Sequence, residues 1–532
     1  MSRSVALIAS VLFACSSRVT PIAPPVSSTA PARAPSLLAY VPADTPYVFH
    51  VGADMFSLPS ISFDYRTARS KIVTGLSAAV LPADELAEAA PRERLGSELA
   101  RELLPLDEQA RARVGWIAGK SGFVLYGLGL VPVLRVRLDG TQARAALGRV
   151  LARAKIEVAE ARWHDVPYVL LPPLAASAPP LVVVFHPDQV VAAFAREPHE
   201  ILPHLADRNP LPASLASWNP RRADPDVPAD ANLMFLFEPA RAAARLRTAD
   251  DLAQLTARSV DRACLGAIAG LLDGLPALTN SHWVDGPRVG SAYTIELAPA
   301  TAKALRAGAG IPHWLTDDAR PRIQFAFAIP LAALEAAARR FYAALAATDR
   351  ACDPDEPMPA FPDALRELGP LAHATGGSYV LEIEPGRGDR PDQIGMAGLI
   401  AVPDVAGVWA WLSRMVPLGP LPPVGEVLPF PLGTDQVRIM VGPRAVGGSA
   451  GAFDASRLRR LMTSDGLGGV VAALEVDAAA VESVRGGAQI FGEPMDDEED
   501  EDDDEPVHDT LIFARIAGNH LVMRSEVEMD GT

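Results

Sequence analysis

A chain of 532 residues, 49% apolar and only 6% aromatic, can bury more than one core, built mostly from Ala, Val and Leu. Its net charge of −17 argues against nucleic acid as a partner, because phosphates would be repelled. Four lysines stand against forty-four arginines, a bias spread along the whole chain that singles out no phosphate-recognition patch.

The N-terminus has three parts. Arg3 supplies a positive segment, Val5 to Phe13 an apolar one, and Leu12-Phe13-Ala14-Cys15 a small-residue processing site. The stretch is too short to span a bilayer as a mature helix. On these residues the chain resembles a bacterial lipoprotein precursor, with Leu12 at −3, Ala14 at −1 and Cys15 in the place of the lipidated residue. The resemblance implies a membrane partner through an N-terminal lipid anchor, in the cell envelope and facing the periplasm. Phe13 departs from the small or β-branched residue usual at −2, so a plain signal peptide or an uncleaved anchor stays open. Ser16 to Ser36 is rich in Pro, Ser, Ala and Thr, cannot pack a core, and is expected to be a disordered tether.

Folded structure is expected from Leu37, where Val41-Pro42-Ala43-Asp44-Thr45-Pro46 makes a turn before a strand at Tyr47 to Val51. Ala, Leu, Arg and Glu dominate Arg66 to Ile117, which is expected to be helical. Phe123 to Leu130 and Val133 to Leu138 follow as a hairpin. Leu134, Val136 and Leu138 alternate with Arg135 and Arg137, the signature of a half-buried strand with its arginines outward. Asp139 is placed to cap a helix whose buried face is Ala143, Leu147, Val150, Leu151 and Ala154.

That strand, a Pro or Asp, and an alanine-rich helix recur from Leu233, Tyr293, Ile323, Met396 and Val470. Pro suits the first helical position because its missing N–H is unsatisfied there anyway. The uneven spacing excludes a solenoid of fixed period and leaves internal duplication open. Two further strands are expected at Tyr168 to Leu171 and Leu181 to Phe185, and a short helix at Pro187 to Arg196. The expected fold is α+β, with repeated βα and βαββ units in mixed, largely antiparallel sheets covered by helices.

Three folded regions are expected. The first, 37–215, ends at Ser217 to Asn232 (SWNPRRADPDVPADAN); the second is 233–416; the third is 434–532. Between the last two, VPLGPLPPVGEVLPFPLG carries six prolines and is expected to be a linker without a regular element. The third region closes on two strands around Gly518-Asn519, a hairpin turn.

The order YVPADTPYV, a strand–Asp–helix step, WHDVPYVLLP and VVVFHPDQVVAAF resembles a family of uncharacterised bacterial envelope lipoproteins with a "PADT" turn near the mature N-terminus. The likeness covers Leu37 to Leu205. It implies an exported architecture of strand–helix–strand units and supplies no catalytic residue.

Four motifs were weighed for chemistry. Gly447-Gly448-Ser449-Ala450-Gly451 matches the G-x-S-x-G elbow, and a serine hydrolase using Ser449 is the alternative to a non-enzymatic role. The elbow needs a serine on a sharp turn between strand and helix, whereas five residues separate Val441 from the glycines here. Gly119-Lys120-Ser121 lacks the leading glycine of a phosphate loop and precedes a strand. His199-Glu200-Ile201-Leu202-Pro203-His204 is one residue too long for a zinc helix, and Pro203 interrupts its ladder. Asp496 to Glu505 is ten acidic residues without the glycine of a calcium loop, within an expected disordered insertion at 493–506. It is expected to be a solvated spacer, with a basic envelope protein or cations as the alternative, functional reading. No metal site, cofactor or catalytic residue is expected. Cys264 and Cys352 remain, as a disulfide in an oxidising compartment or as two buried thiols.

Overall fold

The computed structural model describes residues 36–52, most of 80–217, 233–248, most of 261–307 and, beyond them, the strands and helices named below. The leader, the tether, the stretch 477–509 with its acidic run, and 411–425 lie outside the described residues. The fold is α+β. Its contacts gather into two compact units, 1–219 with 230–281 and 220–229 with 282–532, rather than along the three regions of the sequence. The reason is long-range pairing, which joins strands from distant parts of the chain.

In the first unit the elements are β1 (Tyr47–Val51), α1 (Pro91–Leu103), α2 (Glu108–Arg113), β2 (Phe123–Leu128), β3 (Val131–Val136) and α3 (Gly140–Ala154). After them come β4 (Glu160–Trp163), β5 (Val166–Leu171), β6 (Leu181–Phe185), β7 (Val190–Phe194), α4 (Pro198–Ala206), β8 (Leu233–Phe237), α5 (Pro239–Thr248) and α6 (Arg262–Asp273). The strands form an antiparallel sheet in the order β8-β1-β2-β3-β7-β6-β5-β4. Residues 187–196, expected as a helix, instead hold β7. Pro187 and Asp188 turn the chain, with the His186 N–H bonded to the Gln189 carbonyl at 2.9 Å, and Val190 pairs with Phe185.

Both faces of this sheet are covered. On one, Val169, Leu171, Val183 and Phe185 pack with Leu95 of α1 and Val150, Leu151 and Ala154 of α3. The Asp139 carboxylate caps α3 as expected, accepting from the Gln142 N–H at 2.9 Å. Gly140 then brings the helix start against β6, its N–H bonded to the Pro187 carbonyl at 3.1 Å. Two buried carboxylates tie α1 to α3. Glu98 accepts from Arg153 Nε at 2.5 Å and Arg101 at 2.8 Å, and Glu102 accepts from Arg149 at 2.7 Å and Arg153 Nη2 at 2.5 Å. Glu98→Gln is expected to cost about 1–2 kcal/mol, because the half-exposed arginines regain water when the charge is lost. Equilibrium urea unfolding at low and high salt checks this, and the loss should shrink at high salt.

The Pro42–Pro46 turn has a clear structural job. The buried Thr45 hydroxyl accepts from the Gly127 N–H at 3.1 Å and lies 2.7 Å from the Gly127 carbonyl, pinning the turn to β2. Arg241 of α5 donates to the Ala43 carbonyl at 2.7 Å and the Thr45 carbonyl at 3.2 Å, while Arg245 pairs with Asp44 at 3.0 Å. The turn therefore holds β1, β2 and α5 together.

In the chain's second part, β9 (Leu278–Asp285) crosses the division between the units. After it come β10 (Arg288–Glu296), α7 (Pro299–Ala307), β11 (Trp314–Thr316), β12 (Arg322–Phe327), α8 (Leu331–Cys352), β13 (Gly376–Glu384) and β14 (Gln393–Ala401). The rest are β15 (Glu426–Pro431), β16 (Gln436–Gly442), β17 (Ser449–Gly451), β18 (Val470–Val476), β19 (Thr510–Ala517) and β20 (His520–Glu528). Pairing runs β10-β20-β19-β18-β12-β13-β14-β16-β15, all antiparallel. Contrary to the expected linker, Glu426–Pro431 is a strand. Among the described residues it pairs with β16 alone, and Pro429 and Pro431, two apart, share one lateral side, which an edge strand can leave unpaired.

The recurrent unit is a strand, a connection and a hairpin: β1 before β2–β3, β12 before β13–β14, and β18 before β19–β20. In each the first strand pairs antiparallel with the hairpin's first strand. The β2–β3 and β19–β20 hairpins also share a register. Both turn at a positive-φ glycine, Gly129 (φ 59°) and Gly518 (φ 57°). Both carry a buried arginine four residues into the second strand, Arg135 and Arg524, each under an aromatic ring. Gly, Val (Val133, Val522) and Arg are what the two hairpins have in common, which supports duplication.

Candidate functional site

The second face of the first unit's sheet carries a buried arginine. On β3, Val131, Val133 and Arg135 are buried while Leu134 is half-buried, so the alternation is inverted from the outward arginines expected. Arg135 is only 1% exposed. Register places Arg135 opposite Val124 and Val191, with Tyr126 opposite Val133, and His50 opposite Val124. His50, Tyr126 and Arg135 thus share one face. Segments far away in sequence cover it. The 3-10 turn Leu37–Tyr40 lies against β2, and α4 lies against β6 and β7 with Ile201, Leu202 and Leu205 buried.

A polar network is built there. The Tyr40 ring lies 4.6 Å from the Arg135 guanidinium carbon, a cation–π contact removed from water. Arg135 hydrogen-bonds the Tyr126 phenol, and the phenol lies 3.0 Å from His204 Nε2. Arginine can only donate, so the phenol accepts from it and donates onward, which makes His204 Nε2 the unprotonated nitrogen. Burial first, and the Arg135 charge second, push His204 down to about 4. Burial and the Arg137 charge do the same to His50, also to about 4. His186 Nε2 lies 2.9 Å from the Leu205 carbonyl and its Nδ1 accepts from Arg208 Nε at 3.3 Å, and burial lowers it as well. At neutral pH the three histidines are uncharged and Arg135 is the buried charge among them. Among the described residues its Nε and Nη1 have no hydrogen-bond partner, nor does His50 Nδ1.

The residues singled out by sequence fall elsewhere. Cys15 and the acidic run lie outside the described residues. Ser449 opens β17, opposite Thr316 of β11, so it sits in a strand and not on a strand-to-helix turn. His199 and Glu200 are exposed at the start of α4, with the His199 ring 3.6 Å from Glu197, and the helix continues through Pro203. His204, five residues on, faces the buried network instead. Cys264, on α6, and Cys352, at the end of α8, are each in a disulfide. The unreduced, unfolded protein is accordingly expected to show no titratable thiol at these two positions, checked with a thiol-reactive chromophore in denaturant. Arg135 itself was missed by sequence reasoning, because an arginine alternating with leucine and valine has the pattern of a solvent-facing side chain.

No family model matches the chain, and no curated protein matches it. A solved structure described as "Structure of crystal form I of TP0453" is similar at 9% identity, covering 81% of this chain and 99% of that one, with a TM-score of 0.18.

Proposed function

We propose that the chain is an exported envelope protein, tethered to the outer membrane through lipidated Cys15, whose role is binding or structural and not catalytic. One observation carries the reading: the positive, apolar and small-residue segments ending at Leu12-Phe13-Ala14-Cys15, followed by a polar tether. Membership of the "PADT" envelope family belongs to the same proposal, and the pinning of β1, β2 and α5 by Thr45 and Arg241 gives that turn a physical reason to be kept. The placement of Ser449 in β17 weighs against the hydrolase alternative. In this reading the acidic run is a solvated spacer that would attract basic envelope partners or cations.

Expression of the precursor in a Gram-negative host tests the anchor. Cys15→Ala is expected to remove the protein from the outer-membrane fraction, since stable anchoring takes more than one acyl chain and all of them depend on that thiol. Unchanged fractionation of the variant would contradict the proposal.

A further inference from the structure

We propose that Arg135 anchors an oxyanion-binding site on the α4-covered face of the first unit, taking a small carboxylate or phosphate. The inference gives the binding role a ligand class and rests on that role, but not on the anchor.

A guanidinium removed from water is costly to keep unless its N–H groups find acceptors. Arg135 is 1% exposed and carries two nitrogens without a partner, and none of the described carboxylates pairs with it. The Tyr126 hydroxyl takes one of the Arg135 N–H groups and donates onward to His204, the Tyr40 ring lies 4.6 Å from the guanidinium carbon, and among the described residues His50 Nδ1 on the same face has no hydrogen-bond partner. The unpartnered N–H groups of the guanidinium are what an anion would meet.

Gly122 bonds the Arg137 N–H at 2.9 Å, which fixes Arg137 two residues beyond Arg135 on the same face. Arg137 and His50 are both partly buried at this end of the network. Arg137 adds positive charge close to His50, and a bound oxyanion would rest against Arg135.

The purified full chain tests this by equilibrium dialysis and thermal melting with inorganic phosphate and with acetate, each against chloride at equal ionic strength. The expected result is saturable binding of at least one of the two, near one site per chain, with a melting temperature raised above the chloride control. Phosphate alone would mark a phosphate site and acetate alone a carboxylate site. Arg135→Gln is expected to weaken binding at least tenfold. Should that variant fail to fold, Arg137→Gln and His50→Gln, both at partly buried positions, are expected to weaken binding several-fold. Absence of saturable binding to the wild type, or binding undiminished in all folded variants, would overturn the site. Fractionation of Cys15→Ala is unaffected by either outcome, so the anchor and the site fail separately.

Discussion

Gly140→Ala is expected to destabilise the first unit by about 3 kcal/mol or more, among the larger effects of a single methyl group. A Cβ at Gly140 would fall inside the van der Waals radius of the His186 carbonyl oxygen. That oxygen belongs to backbone, so no rotamer change makes room, and either the start of α3 or the β6–β7 turn must move. The move would disturb the Asp139 cap and the Gly140-to-Pro187 hydrogen bond together. For a unit of this size the melting temperature should fall by roughly 6–12 °C. Gly148, in the same helix, meets nothing within 4 Å, and Gly148→Ala should leave stability unchanged or raise it slightly. Equal effects at the two glycines would mean that α3 does not approach β6 as described.

Acidification from pH 7 to pH 4 is expected to produce the second large effect. His50 and His204 titrate near 4 in the folded protein against an ordinary value near 6.5. The unfolded chain therefore binds protons first as pH falls. Stability from keeping these rings neutral is fully present above about 6.5, and is lost progressively between 6.5 and 4, by about 3 kcal/mol for each ring at most. The Glu102 carboxyl behaves in the usual acidic sense. Burial would raise it, but hydrogen bonds from Arg153 and Arg149 outweigh burial and hold it low, so its contribution is lost only at still lower pH. His204→Gln keeps an acceptor for the Tyr126 hydroxyl and removes one titration. Its stability should fall less steeply between pH 6.5 and 4 than that of the wild type, measured by urea unfolding across the range. A parallel pH dependence in the two proteins would show that His204 is not buried neutral against Tyr126.

What could be foreseen from sequence was local. Asp139 caps α3 because its side chain needs only the N–H of Gln142, three residues away. Gly518-Asn519 turns a hairpin because the left-handed conformation suits glycine at that place. The errors arose where distant segments decide. Val190 to Phe194 follows a Pro-Asp pair that resembles a helix start, yet it is a strand because its valines and phenylalanine suit one and β3 and β6 lie on either side of it. Glu426 to Pro431 becomes a strand because an edge position asks nothing of its two prolines.

The candidate site was the least legible part. Arg135 alternates with Leu134 and Val136 as a solvent-facing residue would, and nothing local says that the turn at Leu37–Tyr40 and the helix at Pro198–Ala206 will cover it. His204 was noticed only inside a motif that does not hold, while its real partner, Tyr126, is 78 residues earlier in the chain. A charge in a fully covered strand is a tertiary fact, set by which face of a two-sided sheet each residue occupies.

The mass of the mature N-terminal peptide from envelope-purified protein tests the lipid anchor at Cys15 most directly. The account predicts that residues 1–14 are absent and that the chain begins at Cys15 bearing a thioether-linked diacylglyceryl group. A mature chain that retains Met1, or one that begins elsewhere with Cys15 unmodified or removed, would contradict it.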